Sequence, residues 1–307
     1  MWFVFALGSA LLLGCYDIFK KHALRDNAVL PVLFLNTLFC SLIFIPFILL
    51  SEGEFIPFGH PAFVPHAFWQ WHAMAIVKAV IVLSSWICGY FAIKHLPLSI
   101  VGPINATRPV LTLLGAIFIF GEWFNLFQWM GIALALLAVF LLSRTGKREG
   151  IDFAHNRWIL LLFLAALLGA CSGLFDKYLL SSKQQGGAGV DAMFLQSWFN
   201  IYQFILMAFI LMRLWWPRRN PSQPFKWKWS IVGISVFLTL ADLLYFYALS
   251  QDGALIAIVS MTRRSSVLVS FGFAAFVLRE QNLKSKAVDL AFVLLSLLFL
   301  CIGALMS

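Results

Sequence analysis

The sequence predicts an all-α integral membrane protein, with ten transmembrane helices arranged as two inverted five-helix repeats. Three observations carry that prediction. The chain is 62% hydrophobic and 11% charged, with 32 Phe and 12 Trp, whereas soluble domains carry about twice that charge. Apolar runs long enough to cross a bilayer, roughly 20 residues each, recur from one end of the chain to the other. Finally, motifs of the first half return in the second at a nearly constant offset.

The runs are 2–20, 30–50, 70–93, 97–120, 126–144, 157–180, 191–214, 229–250, 254–278 and 284–305. The breaks between them, such as "HLPLS", "SRTGKREG", "SKQQGGAGVD" and "PRRNPSQPFKWKW", combine turn formers with charge. The opening "MWFVFALGSALLLGCYDIF" lacks a basic leader and a small-residue cleavage site, so it reads as a retained first span rather than a signal peptide. Cys15, Cys40, Cys88, Cys171 and Cys301 stand singly in apolar segments. Their spacing suits neither a metal site nor a disulfide framework, and they read as small core residues.

An offset of 156 overlays "LLGCYDIFKKHAL" on "LGACSGLFDKYLL" and "YFAIKH" on "FYALSQ". "VLFLNT" meets "AMFLQS" at 160, because the second half has the longer loop, and so Asn36 falls on Gln196. At 156 Arg108 meets Arg264, and after a two-residue gap Glu122 meets Glu280. The domain boundary follows, with one repeat over 1–150 and the other over 151–307. Five spans reverse sidedness, so the halves are expected upside down relative to each other, as in secondary transporters whose sites lie near the midplane.

The chain resembles EamA-type members of the drug/metabolite transporter superfamily over essentially its full length. The resemblance rests on two runs that each carry a glutamate before the next helix, "RPVLTLLGAIFIFGEWFNLFQWMGIALALLAVFLL" and "RSSVLVSFGFAAFVLREQNLKSKAVDLAFVLLSLLFL". Locally, "SMTRRSSVLVS" is also similar to the Lys-Arg stretch of the triose-phosphate translocators, which contacts substrate phosphate. The resemblance implies transport of a metabolite across a bacterial inner (plasma) membrane, with no enzymatic activity. It names no substrate.

Five ionisable residues fall well inside the runs: Lys78, Arg108, Asp242, Arg263 and Arg264. Such residues need a partner or a water-filled cavity. Four are cationic, and Asp242 is the one counter-ion available to them, one turn before Tyr245 and Phe246. In the functional reading, guanidinium forks bind the carboxylate or phosphate of a substrate. In the structural reading, Asp242 pairs with one arginine and another reaches a backbone carbonyl. The excess of cations favours the first. Adjacent helical residues point about 100° apart, so Arg264 is expected to face the cavity while Arg263 turns aside. Lys78 is either a ligand or a snorkelling interfacial cation. Trp86, Tyr90, Tyr245, Asn36 and Gln196 are further candidates for lining a substrate cavity, with core packing or interhelical hydrogen bonding as the alternative. Asp17, Lys20, Lys21, Asp176 and Lys177 cluster near the ends of runs one and six and read as ordinary interfacial charges, with gate ion pairs as the alternative.

The functional expectation is a secondary transporter that moves a small polar, anionic solute by alternating access. The solute is an organic anion, a phosphorylated compound or an amino acid. The alternative is a lipid-processing or lipid-translocating membrane protein. No cofactor, metal or nucleic-acid partner is expected. Membrane lipids are, through the basic loop "RRNPSQPFKWKW", and homodimerisation is left open. Glu122 and Glu280 read as helix caps.

Every Lys and Arg outside the four mid-run cations, except Lys177 and Lys183, lies at the connections after runs one, three, five, seven and nine. The positive-inside rule puts those connections in the cytoplasm and both termini outside, although the family resemblance implies cytoplasmic termini. A C-terminal reporter that is active only in the cytoplasm should therefore stay silent. Strong reporter signal would reverse the orientation.

Overall fold

The computed structural model describes residues 2–112, 114, 125–147, 151, 153, 155–180, 183, 187–217, 224–249, 256–277 and 283–306. The described residues are helical or irregular, with no strand among them. The helices are α1 (Trp2–Leu24), α2 (Val29–Glu52), α3 (Trp69–His95), α4 (Leu98–Ala106), α5 (Leu126–Lys147), α6 (Arg157–Leu180), α7 (Ala192–Ile210), α8 (Ser230–Leu249), α9 (Ile256–Arg264), α10 (Ser266–Phe276) and α11 (Leu283–Leu305). A π-helical turn, Leu211–Trp215, extends α7.

Seven stretches are long and apolar enough to cross a membrane: Phe3–Leu24, Val29–Glu52, Trp69–His95, Leu126–Thr145, Arg157–Leu180, Ala192–Trp215 and Lys284–Gly303. Large apolar side chains point outward along them, among them Leu11, Leu49, Leu136, Leu160 and Phe209. In water such a surface would be costly, whereas lipid tails make it neutral. The protein is an integral, multi-pass membrane protein. Of the other three apolar runs, the eighth contributes the shorter apolar helix Ser230–Tyr245. Runs four and nine are interrupted helices where continuous spans were expected. Run four stops at α4 and resumes in a helical turn over 108–112, and run nine divides into α9 and α10.

Lateral packing pairs α1 with α8, α3 with α6, α2 with α7, and α5 with α11, while α4 crosses α10. Small residues let backbones approach closely. A Cβ added at Gly14 in α1 would lie 2.4 Å from Val269 Cβ in α10. One added at Gly102 in α4 would lie 2.8 Å from a Val267 methyl.

Lysines on one side of the bundle close helix ends. Helix C-termini leave carbonyls unpaired and carry partial negative charge. Lys21 Nζ donates to the carbonyls of Ile93 (2.6 Å) and Leu96 (2.5 Å) at the end of α3. Lys228 Nζ donates to those of His22 (3.1 Å) and Arg25 (2.5 Å) past α1. Asn27 clamps the backbone of Lys226 in both directions, at 2.7 and 2.9 Å. Part of the basic loop expected to meet lipid headgroups is thus committed to the chain itself. Arg218, Arg219, Glu122 and Glu280 lie outside the described residues, as do the side chains of Lys177 and Phe246.

The close crossing of α1 and α10 sets an expectation for stability. Gly14→Val should cost about 1–3 kcal/mol through overpacking and lower the melting temperature of the detergent-purified protein by several degrees. Gly173→Ala should leave it unchanged, since no side chain lies within 4 Å of a Cβ placed there. Equal melting temperatures for the two variants would contradict the packing described.

Candidate functional site

The two interruptions share one local chemistry. In the first, Thr107 Oγ1 donates to the Ile104 carbonyl at 2.7 Å, and the backbone tightens through Thr107 N–H to Ile104 O and Val110 N–H to Thr107 O. In the second, Ser265 Oγ donates to the Thr262 carbonyl at 2.7 Å, with Ser265 N–H to Thr262 O and Leu268 N–H to Ser265 O. A hydroxyl satisfies the carbonyl that the missing helical bond would have left bare, which matters where water is scarce. Pro109 accounts for the first break directly, since it has no N–H to offer the Asn105 carbonyl. Arg108 follows one break and Arg264 precedes the other.

Thr107 and Ser265 are 158 positions apart, the offset that also joins Glu122 to Glu280. At that offset "IV" of 100–101 meets "IV" of 258–259, and Thr112 meets Ser270. Arg108 then falls on Ser266, and Arg264 on Ala106. An offset of 158 thus superposes the two breaks, whereas 156 superposes the two arginines.

The arginines nevertheless converge. Arg264 is within electrostatic range of Arg108, Arg263, Tyr245 and Asp17, and Arg108 within range of Asp17 and Tyr16. Arg108 Nη2 donates to Asn105 Oδ1 at 3.1 Å, one turn back. Its guanidinium lies over Gly169 of α6, where a Cβ would stand 2.9 Å from Cζ, so α6 makes room for it by lacking a side chain. Arg263 forms an ion pair with Asp242 of α8 and lies 4.6 Å from the centre of the Tyr245 ring. Arg264 has no hydrogen bond or ion pair with any described residue.

Helix α1 adds a carboxylate and an ammonium. Asp17 Oδ1 accepts from Lys20 Nζ at 2.7 Å. Lys20 is 8% exposed and stands 4.2 Å from the Tyr16 ring and 5.4 Å from the Tyr90 ring. On the α2 side, Asn36 Oδ1 accepts from Ser235 Oγ (3.0 Å) and Thr239 Oγ1 donates to Cys40 Sγ (3.8 Å). Cys40 lies in electrostatic range of Asp242 and Tyr90, which ties this seam to the arginines. Among the described residues, three buried atoms of this centre have no hydrogen-bond partner: Arg108 Nε, Arg263 Nε and Asn36 Nδ2. Each of the three can donate a proton.

The structure thus brings together Arg108, Arg263, Arg264, Asp242, Tyr245, Tyr90 and Asn36 of the residues singled out in the sequence. Trp86 packs against the main core cluster. Gln196 is buried on α7, its carbonyl accepting from Asn200 Nδ2 at 2.7 Å. Lys78 is engaged elsewhere. It forms an ion pair with Asp176 of α6 and sits 5.0 Å from the Phe199 ring. Sequence reasoning missed Tyr16, Asp17, Lys20, Cys40, Ser235 and Thr239. Asp17 and Lys20 were assigned to the interface because the first run was ended at residue 20. The spacing Tyr16–Lys20, i to i+4 on one helix face, was the available signal. A separate cavity of about 150 Å³ lies where α2 ends and α3 and α7 begin, lined by Glu52, His66, His72, Phe194 and Trp198 among others.

Removing one partner of a buried ion pair costs more than removing both. Lys78→Met leaves the Asp176 carboxylate alone and should lower stability by about 1–3 kcal/mol, less than for a fully buried pair because 31% of the Asp176 side chain is exposed. Lys78→Met with Asp176→Leu should recover most of that loss in a thermal melt. A double variant less stable than the single one would show that the pair itself contributes net stability.

Three comparisons bear on identity. No curated protein sequence matches the chain. A solved structure titled only "Crystal structure of protein" superposes with a TM-score of 0.62 at 13% identity, covering 100% of this chain and 99% of that one. At that identity the likeness shows a shared fold and nothing finer. The model of the EamA-like transporter family matches residues 1–144. That segment ends with α5 and contains the first of the two helix breaks, so the first half of the chain is similar to the EamA-like transporter family.

Proposed function

We propose that the protein is a secondary transporter of the plasma (inner) membrane that binds a small anionic metabolite where α4 and α9 break, and moves it by alternating access. One observation carries this reading. The buried polar atoms at the centre that lack a partner among the described residues can all donate, and the Arg264 guanidinium beside them has no partner among those residues either. In a low-dielectric interior an unpaired donor costs about 1–3 kcal/mol and an unpaired charge more. A guest rich in acceptor oxygens removes those costs together. Discontinuous helices flanking such a site are the arrangement by which transporters bring polar backbone and charge to the midplane.

The packing pattern supports ten spans in two inverted repeats. If apolar runs one and six, and three and eight, exchange under a pseudo-two-fold, the α1–α8 contact becomes the α6–α3 contact. The α2–α7 and α5–α11 contacts map onto themselves. All four are among the principal contacts, and the matching Thr107 and Ser265 breaks agree with them.

Arg108→Ala and Arg264→Ala should each remove charge-assisted hydrogen bonds worth roughly 1.5–3 kcal/mol. Binding of the transported anion should weaken by about one to two orders of magnitude, measured by uptake into proteoliposomes. Arg264→Lys should rescue only part, because the fork geometry is lost. Wild-type affinity in both alanine variants would make the arginines structural.

A further inference from the structure

We infer that the central site is built for a guest carrying two negative charges, such as a dicarboxylate or a phosphate monoester. This rests on the anion-site reading and narrows it. The argument is a charge count over side chains that touch or feel one another. Lys20, Arg108, Arg263 and Arg264 are cations, and Asp17 and Asp242 are the carboxylates among the described residues of the cluster. Asp17 is held by Lys20 at 2.7 Å, and Asp242 by Arg263. Two neutral pairs result, and the charges of Arg108 and Arg264 are left over.

Those two guanidiniums repel each other. The repulsion exceeds that in bulk water because both guanidiniums are partly shielded from solvent. A monoanion neutralises one of them and leaves the other uncompensated within the membrane, where lone charge is most costly. A dianion neutralises both. The helix ends do not alter the count. Helix α9 ends at Arg264 as α10 begins at Ser266, and α4 ends at Ala106 just before the turn over 108–112. At each break a partial negative C-terminus therefore meets a partial positive N-terminus, and the two offset. The donors suit the same guest, since each guanidinium has N–H groups to spare and both oxygens of one anionic group can be gripped in a fork. A zwitterionic amino acid, with zero net charge, leaves both arginine charges in place.

The test is calorimetric titration of the purified full-length protein at pH 7.5 with matched probes of equal size and different charge. Sulfate is compared with methanesulfonate, and succinate with its monoamide. The inference predicts that at least one dianion binds tenfold or more tightly than its monoanionic partner. Arg264→Gln should shrink that ratio below about threefold, mostly by weakening the dianion. A methyl phosphate titration should strengthen between pH 5 and 7.5, as the second proton leaves near pH 6, while the affinity for sulfate stays flat. Monoanions that match the dianions in the wild type, with both weakened by Arg264→Gln, would overturn the two-charge inference and leave the anion site standing. Binding of none of the four probes, or binding indifferent to Arg264→Gln, would overturn both.

Discussion

The need to compensate charge inside a bilayer governs this molecule. A cation at mid-membrane is tolerated when it is paired, when it faces a polar cavity, or when it reaches the interface. Arg263, Lys78 and Lys20 are paired, with Asp242, Asp176 and Asp17. Lys21 reaches the open C-terminus of α3. Arg108 and Arg264 find only part of what they need or none of it, and they lie within reach of each other. Two unsatisfied cations held together, against both repulsion and desolvation, make sense as half of an interaction whose other half is carried by a substrate.

The backbone follows from the same constraint. A continuous helix through the centre would bury its carbonyls in its own bonds and present side chains only. At Thr107 and Ser265 the helices tighten and turn instead, and each hydroxyl takes over the carbonyl at i−3. The break costs little, and it places helix ends beside Arg108 and Arg264. Glycines complete the geometry. Gly102 and Gly14 let α4 and α1 press against α10, and Gly169 admits the Arg108 guanidinium beside α6. The centre is therefore fixed by small residues on one set of helices and by long cations on another.

Much of this was legible in the amino-acid sequence, because lipid demands long apolar runs and makes interior charge conspicuous. Seven runs correspond to single long helices, and Asp242 stood out as a counter-ion before its pairing with Arg263 was seen. The two interrupted runs were invisible as interruptions. Their composition is as apolar as that of a whole span, and a threonine or serine breaks a helix only in the right hydrogen-bonding context. Asp17 and Lys20 read as interfacial because hydropathy ends the first run at residue 20, while the helix continues to Leu24 and folds its charged turn inward over Tyr16 and Tyr90. Lys78 and Asp176 show the opposite difficulty. Each was recognised as a charge, but their pairing depends on the packing of α3 against α6, which no local pattern encodes.

The central claim is spatial. In the proposed site, one acceptor-rich anion sits where the two helix breaks bring Arg108 and Arg264 together. Anomalous diffraction from crystals grown with selenate would test it most directly, because selenium marks the anion without ambiguity. A single selenium peak is predicted, with its oxygens at hydrogen-bond distance, about 2.7–3.2 Å, from nitrogens of both arginines. Well-ordered crystals at saturating selenate with no peak between the arginines, or with selenium bound only at surface lysines, would contradict the account.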